Sequence, residues 1–340
     1  MKVSRVASQN KFISRFQVEP MPMITTKNMP EWLRSFVYDD LGGSYDPDRI
    51  EFQNNLESDE IKNLRYLGTY FPRSYTESYC IFRNLFENDA YQSLVKDKQS
   101  LTILTFGCGT GGDLMGLIEA IEENLPWIND LTIVAYDGNF IAIDILRQIV
   151  TRPEIKGRFS LNVDYAPVPM REPKDFNLYC NCIKQNFDLI VSMKMVNELY
   201  RKDILTTQPY KAFMEVLARK LDNNGVLLVL DVPIKVKEKN VPLLLTTGLR
   251  SFLRDNPDFS AIVPIPCHKQ GTKCNNRCYL TKTFHGEIFT SEKVTYSLIA
   301  RIDMANTITP AMRNAFYLIN GDGEVCQMSG GKEYADSFTI

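Results

Sequence analysis

The stretch that decides the fold is Leu101–Gly116, LTILTFGCGTGGDLMG. A short apolar run meets glycines at 107, 109, 111 and 112 and passes straight into a helical pattern. This predicts a strand, a tight turn and a helix N-terminus, where backbone can approach a nucleotide-like ligand closely. Downstream the theme repeats: LTIVAY (131–136), RFSLNV (158–163), FDLIVS (187–192) and GVLLVLDV (225–232) read as strands with helical periodicity between them. Near-continuous apolar strands alternating with helices predict a parallel sheet buried on both faces.

On either side of 101–235 the pattern changes. Residues 1–100 read as a mainly helical region. Ser74 and Glu77 form an S-x-x-E box with Pro72 just before it, which predicts a helix start there. Tyr75, Tyr79, Phe82 and Phe86 then fall on one helical face, as expected of a lid or partner surface packed on the strand-and-helix region. Residues 236–340 break the alternation and are expected to form a C-terminal extension. A helical stretch near 241–256 leads into a Cys/His segment. VTYSLIARI (294–302) and AFYLIN (315–320) read as strands, and Gly321-Asp322-Gly323 as a hairpin turn.

The chain has 340 residues, 44% of them hydrophobic and 24% charged, with a net charge of −2. That near-neutral balance excludes a global electrostatic pull on nucleic acid, so RNA binding would rest on local patches. No apolar run reaches the roughly 20 residues of a membrane span. Lys2, Arg5, Lys11 and Arg15 precede the first acid, Glu19. Such a start resembles an organellar transit peptide, but reads first as a basic surface segment. The expected location is cytoplasmic, with mitochondrial as the alternative. Eight cysteines without a secretory signal point to a reducing compartment.

The glycine loop fits two cofactors. Gly107, Gly109 and Gly112 match the G-x-G-x-x-G of dinucleotide sites; Gly107, Gly109 and Gly111 match the G-x-G-x-G of S-adenosylmethionine (SAM) sites. Asp137, at the end of the second strand, is placed to accept from ribose hydroxyls. It lies thirty positions after Gly107, beyond the roughly 20 residues of the NAD fingerprint. Asp164, read as the end of the third strand, is a candidate acceptor for an adenine amino group. Acids after successive strands, and no histidine in this region for proton transfer, favour SAM. The arrangement resembles class I methyltransferases, and the expected fold is their Rossmann-like sheet. Phe106, Cys108 and Gly138 flank these positions and join the cofactor set. One departure is Thr105, where methyltransferases often carry an acid two residues before the first glycine. Asp113, in the first helical turn, is expected to contact the methionine ammonium in its place. Ser192, at the end of the fourth strand, belongs to both the cofactor and acceptor sides, and Asn197 and Glu198 face the acceptor.

Cys267, Cys274 and Cys278 lie within twelve residues, and the only histidines, His268 and His285, are close by. Thiolates bind zinc or iron–sulfur clusters, and a closed site usually takes four ligands. Cys326 is one candidate fourth ligand; a histidine completing a Cys3His zinc site is the other.

With both sites in view the chain resembles the methyltransferase-like family of small-ribosomal-subunit assembly factors, known from mitochondria and bacteria. The resemblance spans roughly residues 60–330. It is carried by LRYLGTYFPRSYTESYCIFRNL (64–85), FDLIVSMKMVNEL (187–199), GVLLVLDVPIK (225–235), LRSFLRDN (249–256) and IVPIPCHKQGTKC (262–274). It departs where the family reads C-P-H, since His268 follows Cys267 directly. The resemblance implies a structural [4Fe–4S] cluster held by Cys267, Cys274, Cys278 and Cys326. It also implies RNA or the small ribosomal subunit as partner. Two functions are expected from it: a SAM-dependent methyltransferase acting on RNA, ribosomal RNA first, and a SAM-binding assembly factor without turnover. The acidic pI adds a third, a methyltransferase of a small molecule or peptide. Lys269, Lys273, Arg277 and Lys282 around the cysteine loop are candidate phosphate contacts.

Overall fold

The computed structural model describes residues 24–46, 59–233, 244–264 and 280–316. The cysteine set Cys267, Cys274, Cys278 and Cys326, together with His268 and the 321–323 turn, lies outside the described residues. The N-terminal part holds α1 (Glu31–Ser35), α2 (Glu60–Phe86) and α3 (Asp89–Val95). Next come β1 (Ser100–Phe106), α4 (Gly112–Asn124), β2 (Asp130–Asp137), α5 (Phe140–Val150), α6 (Pro153–Lys156) and β3 (Ser160–Pro167). After them are α7 (Pro173–Cys182), β4 (Phe187–Met193), α8 (Met195–Arg201), α9 (Pro209–Leu217) and β5 (Leu221–Asp231). The last are α10 (Leu244–Asp255), β6 (Phe259–Val263), β7 (Thr281–Phe284), β8 (Glu292–Arg301) and α11 (Ile302–Phe316).

The strands form one sheet in the order β3-β2-β1-β4-β5-β8-β6, with β7 pairing on β8. The first five run parallel. β8 is antiparallel to both β5 and β6. The expected Rossmann-like α/β sheet is therefore present, and it extends past residue 235. The described C-terminal strands complete the sheet, so the change of pattern at 236 is not an edge of the fold. Residues 315 and 316, expected to start a strand, are the last turn of α11.

Alternation of side chains along each strand divides the core into two layers. Leu101, Ile103, Ile133, Leu189 and Val191 face α2, α4 and α5. Leu104, Phe106, Val134, Ile190 and Leu227 face the α7–α10 side. β4 is buried along its whole length, as its unbroken apolar run requires of a central parallel strand.

The S-x-x-E box does not start a helix. α2 runs unbroken through Pro72, Ser74 and Glu77, and its N-cap is Asp59, which accepts from the Lys62 N–H. Proline in a helix interior leaves the carbonyl four residues back without its N–H donor. Here that carbonyl is Gly68, and the Tyr38 hydroxyl donates to it at 2.6 Å. Glu77 is thereby free of capping and takes a buried ion pair instead. The predicted aromatic face is real: Tyr75, Tyr79, Phe82 and Phe86 are all buried. α2 lies backbone to backbone against α4. A Cβ on Gly112 would stand 2.4 Å from the Phe71 carbonyl oxygen, and one on Gly116 would stand 2.2 Å from that of Tyr75.

Candidate functional site

The strand order reverses between β1 and β4, and in open α/β sheets the crevice at such a switch point, beyond the carboxyl ends of the strands, is where ligands bind. A cleft opens there. Its first lobe, with about 540 Å³ of free space, is lined by Gly107, Asp137, Gly138, Val168, Met170 and Glu198 among others. A second lobe of about 310 Å³ lies over the glycine loop and the start of α4, lined by Cys108, Thr110, Gly112, Asp113, Tyr70 and Ser74 among others. Tyr66, Gly107, Met193 and Lys194 line both lobes.

The loop owes its shape to three left-handed glycines, Gly107 (φ 79°), Gly109 (φ 50°) and Gly111 (φ 91°). A side chain is disfavoured there, and space is also short. A Cβ on Gly107 would meet the Met195 sulfur at 2.8 Å, and one on Gly111 would meet Leu146 at 2.3 Å. Gly112, the third glycine of the dinucleotide pattern, is spent on the α2 contact.

Asp137 clamps this loop. Its Oδ2 accepts from the Gly109 N–H at 2.7 Å and its Oδ1 from the Asn139 N–H at 2.8 Å. A carboxylate offers about four acceptor positions, so capacity remains for a ribose diol. Burial pushes its carboxyl up, opposed by these backbone N–H groups. Asn139 caps α5, its Oδ1 accepting from Ile141 and Ala142, while its amide donates to Asn63 of α2.

Thr105 stands where an acid was expected, and its hydroxyl donates to Asp113 Oδ2 at 2.7 Å. The two side chains thus work as a unit that presents an acid to the second lobe from α4 rather than from β1. Burial raises the Asp113 carboxyl to about 6, the Thr105 hydrogen bond pulling the other way.

The acceptor-side residues separate. Glu198 lines the first lobe, and burial, opposed by Lys202, raises it to about 7. Asn197 lines neither lobe; its N–H donates to the buried Asp231 at the end of β5, fixing the start of α8. Ser192 is buried within β4, its hydroxyl without a hydrogen-bond partner, and it too lines neither lobe. Phe106 packs away from the cleft, against Phe176 and Phe213.

Asp164 is not at a strand end. β3 continues to Pro167, and Asp164 is an exposed mid-strand residue paired with Val134. The strand's end delivers Val168 instead, held by its N–H to the Asp137 carbonyl at 2.7 Å. Val168 and Met170 give the first lobe an apolar wall suited to a flat base. The apolar run RFSLNV hid this, because the strand outlasts its hydrophobic residues at the sheet edge.

Tyr66, Tyr70 and Lys194 were not singled out by sequence. Lys194 follows β4 with a left-handed backbone (φ 64°) that is uncommon for a residue with a side chain. Its ammonium lies 2.8 Å from the fully buried Glu77 of α2. Behind this pair Arg73 meets Glu292 of β8 at 3.4 Å. The Glu77 carboxyl is raised to about 7 by burial, against the pull of Lys194. The only advance signal for the tyrosines is their spacing, four residues apart on one helix. His285, a candidate ligand, instead meets the Thr290 carbonyl through Nδ1 at 2.8 Å. Among the described residues no group of three or more His, Cys, Asp or Glu could hold a metal ion.

No family model and no curated protein matches this chain. Among solved structures, the plantazolicin methyltransferase BpumL in complex with SAH is 13% identical, covering 79% of this chain and 99% of its own, with a TM-score of 0.39. The SAH-bound Podospora anserina methyltransferase PaMTH1 is 12% identical over 81% and 90% of the two chains, with a TM-score of 0.36. The Bacillus cereus O-methyltransferase in complex with SAH is 14% identical over 67% and 91%, with a TM-score of 0.35. At these scores the likenesses add nothing to the strand order and cleft geometry above.

Proposed function

We propose that the chain is a SAM-dependent methyltransferase. The observation that carries this reading is the Asp137 carboxylate closed onto the Gly109 N–H of a loop with three left-handed glycines. The donor set fits the cofactor. Asp137 takes the ribose hydroxyls, Val168 and Met170 flank the base, and the Thr105–Asp113 unit takes the methionine ammonium. SAM, when bound, supplies a methyl group on a positively charged sulfur. The chain's part is to hold that methyl in line with an acceptor. Glu198, whose carboxyl is near 7, is the group suited to take a proton from an acceptor that sheds one. The acceptor we propose is RNA, on the strength of the family resemblance; among the described residues Lys202, which lines the first lobe, and its neighbour Arg201 are cations available to phosphates.

Calorimetric titration with S-adenosylhomocysteine (SAH) tests the cofactor site. Asp137→Asn is expected to weaken binding at least 100-fold, about 2.7 kcal/mol, and unchanged affinity overturns the ribose assignment. With methyl-labelled SAM and total cellular RNA, label should enter the RNA with the wild type and not with the variant. Binding without transfer to RNA or to a small-molecule fraction would favour the assembly factor without turnover.

A further inference from the structure

Tyr66 occupies a position that neither the glycine loop nor Asp137 explains. It reaches the cleft from α2, outside the sheet, and lines both lobes where they join. Its ring edge and hydroxyl lie 3.3 Å from where a Gly109 Cβ would be, so it seats directly on the cofactor loop. Under the proposed reading the nucleoside fills the first lobe and the amino-acid portion the second. The sulfur between them then falls at the junction, beside Tyr66.

The surroundings of that junction are anionic. Asp137 and Glu198 line one lobe and Asp113 the other. All three raise the Tyr66 phenol, after burial, the largest cause. The neighbouring cations are already engaged or peripheral: Lys194 is paired with Glu77, and half-exposed Lys202 acts on Asp137 and Glu198. Tyr70, its ring centre 4.9 Å from that of Tyr66 and tilted 31° to it, has the Arg73 guanidinium 5.5 Å from its ring centre. An aromatic ring set among carboxylates is a receptor for a cation.

We propose that Tyr66 reads the positive charge on the cofactor's sulfur, so that the cleft holds SAM in preference to its neutral product. This rests on the methyltransferase reading. When the acceptor's lone pair bonds to the methyl carbon, the carbon–sulfur bond breaks and its electron pair stays on sulfur. The charge that Tyr66 recognises disappears in that step, and the spent cofactor is held less tightly.

The test is the ratio of SAM to SAH affinity, measured by calorimetry on the full chain. The wild type is expected to favour SAM by roughly fivefold, corresponding to a cation–π contact of about 1 kcal/mol. Tyr66→Phe should keep that ratio and Tyr66→Leu should bring it to about one. General damage to the site cancels in a ratio taken within one variant. Fluorinated phenylalanines placed at position 66 keep the ring's shape while draining its face, and should lower the ratio stepwise. A ratio unchanged by both leucine and fluorination overturns the role of Tyr66. Equal wild-type affinity for the two ligands overturns the proposal and leaves the cofactor reading standing. Failure to bind either ligand removes both.

Discussion

The cleft has two walls of different construction. The sheet wall, Gly107 to Asp113 with Asp137 and Gly138, is assembled by backbone: left-handed glycines, a carboxylate accepting N–H groups, a helix start. The helix wall, Tyr66 to Glu77 of α2, is assembled by tertiary contact. It is positioned by the glycine-lined approach to α4 and by two ion pairs reaching to the β4 end and to β8. One wall is specified within 32 residues of sequence, 107 to 138. The other draws on segments more than two hundred residues apart, and it should be the more easily displaced.

The largest effect is expected where the helix wall touches the sheet layer. Gly116→Val places a side chain where the Tyr75 carbonyl stands, forcing α2 away from α4. We expect a loss of about 3 kcal/mol of stability by denaturant melt, at the upper end of overpacking costs. SAH affinity should fall with it. Retained affinity with lost stability would show that the walls are independent.

A smaller effect distinguishes the walls by pH. Glu198 belongs to the sheet side and is raised to about 7, chiefly by burial. A carboxylate raised in the folded state binds its proton more tightly there than when unfolded. Its contribution is thus complete below about 4.5 and is lost as pH rises through about 7. Glu198→Gln removes that loss. Melting temperatures of the two proteins should agree at the acid end and diverge above pH 5, with the variant the more stable at pH 7.5. A gap that does not change with pH would mean that Glu198 is not held in a desolvated site. Such a carboxylate, costly to ionise yet lining the cleft, is what an acid–base role would require.

The smallest effect is at the remote support of the helix wall. Tyr38→Phe withdraws the hydroxyl that satisfies the carbonyl opposite Pro72, at an expected cost of about 1 kcal/mol. A denaturant melt reads it, and no change would mean that water serves the carbonyl as well.

The same contrast governs what the sequence disclosed. Strand–turn–helix order, the glycine loop and Asp137 were legible because periodicity and a loop's glycines are local properties. Asp113 was singled out once Thr105 was seen to lack a charge, and the structure places it in the lining of the cleft. The Ser74 box misleads because capping and interior patterns share the same residue types. Only Tyr38, far along the chain, shows that Pro72 is accommodated. Asp164 falls mid-strand because an edge strand need not stay apolar to its end. Tyr66 offered only its four-residue spacing from Tyr70 and Lys194 offered nothing local; both act through a helix folded over the sheet.

The antiparallel strand between β5 and β6 has a consequence for how the protein is made. Both lobes of the cleft are lined by residues up to 202, so their lining is synthesised early, although Arg73 of the helix wall still waits for Glu292 of β8. β5 then waits for β8, whose last residue is Arg301. Until β8 has been synthesised, Val226–Asp231 of β5 lies with one edge unpaired at the margin of the sheet. Such an edge is a template for pairing with another chain. Nascent or C-terminally truncated forms should therefore be the species most in need of a chaperone, even with every residue that lines the cofactor cleft already present.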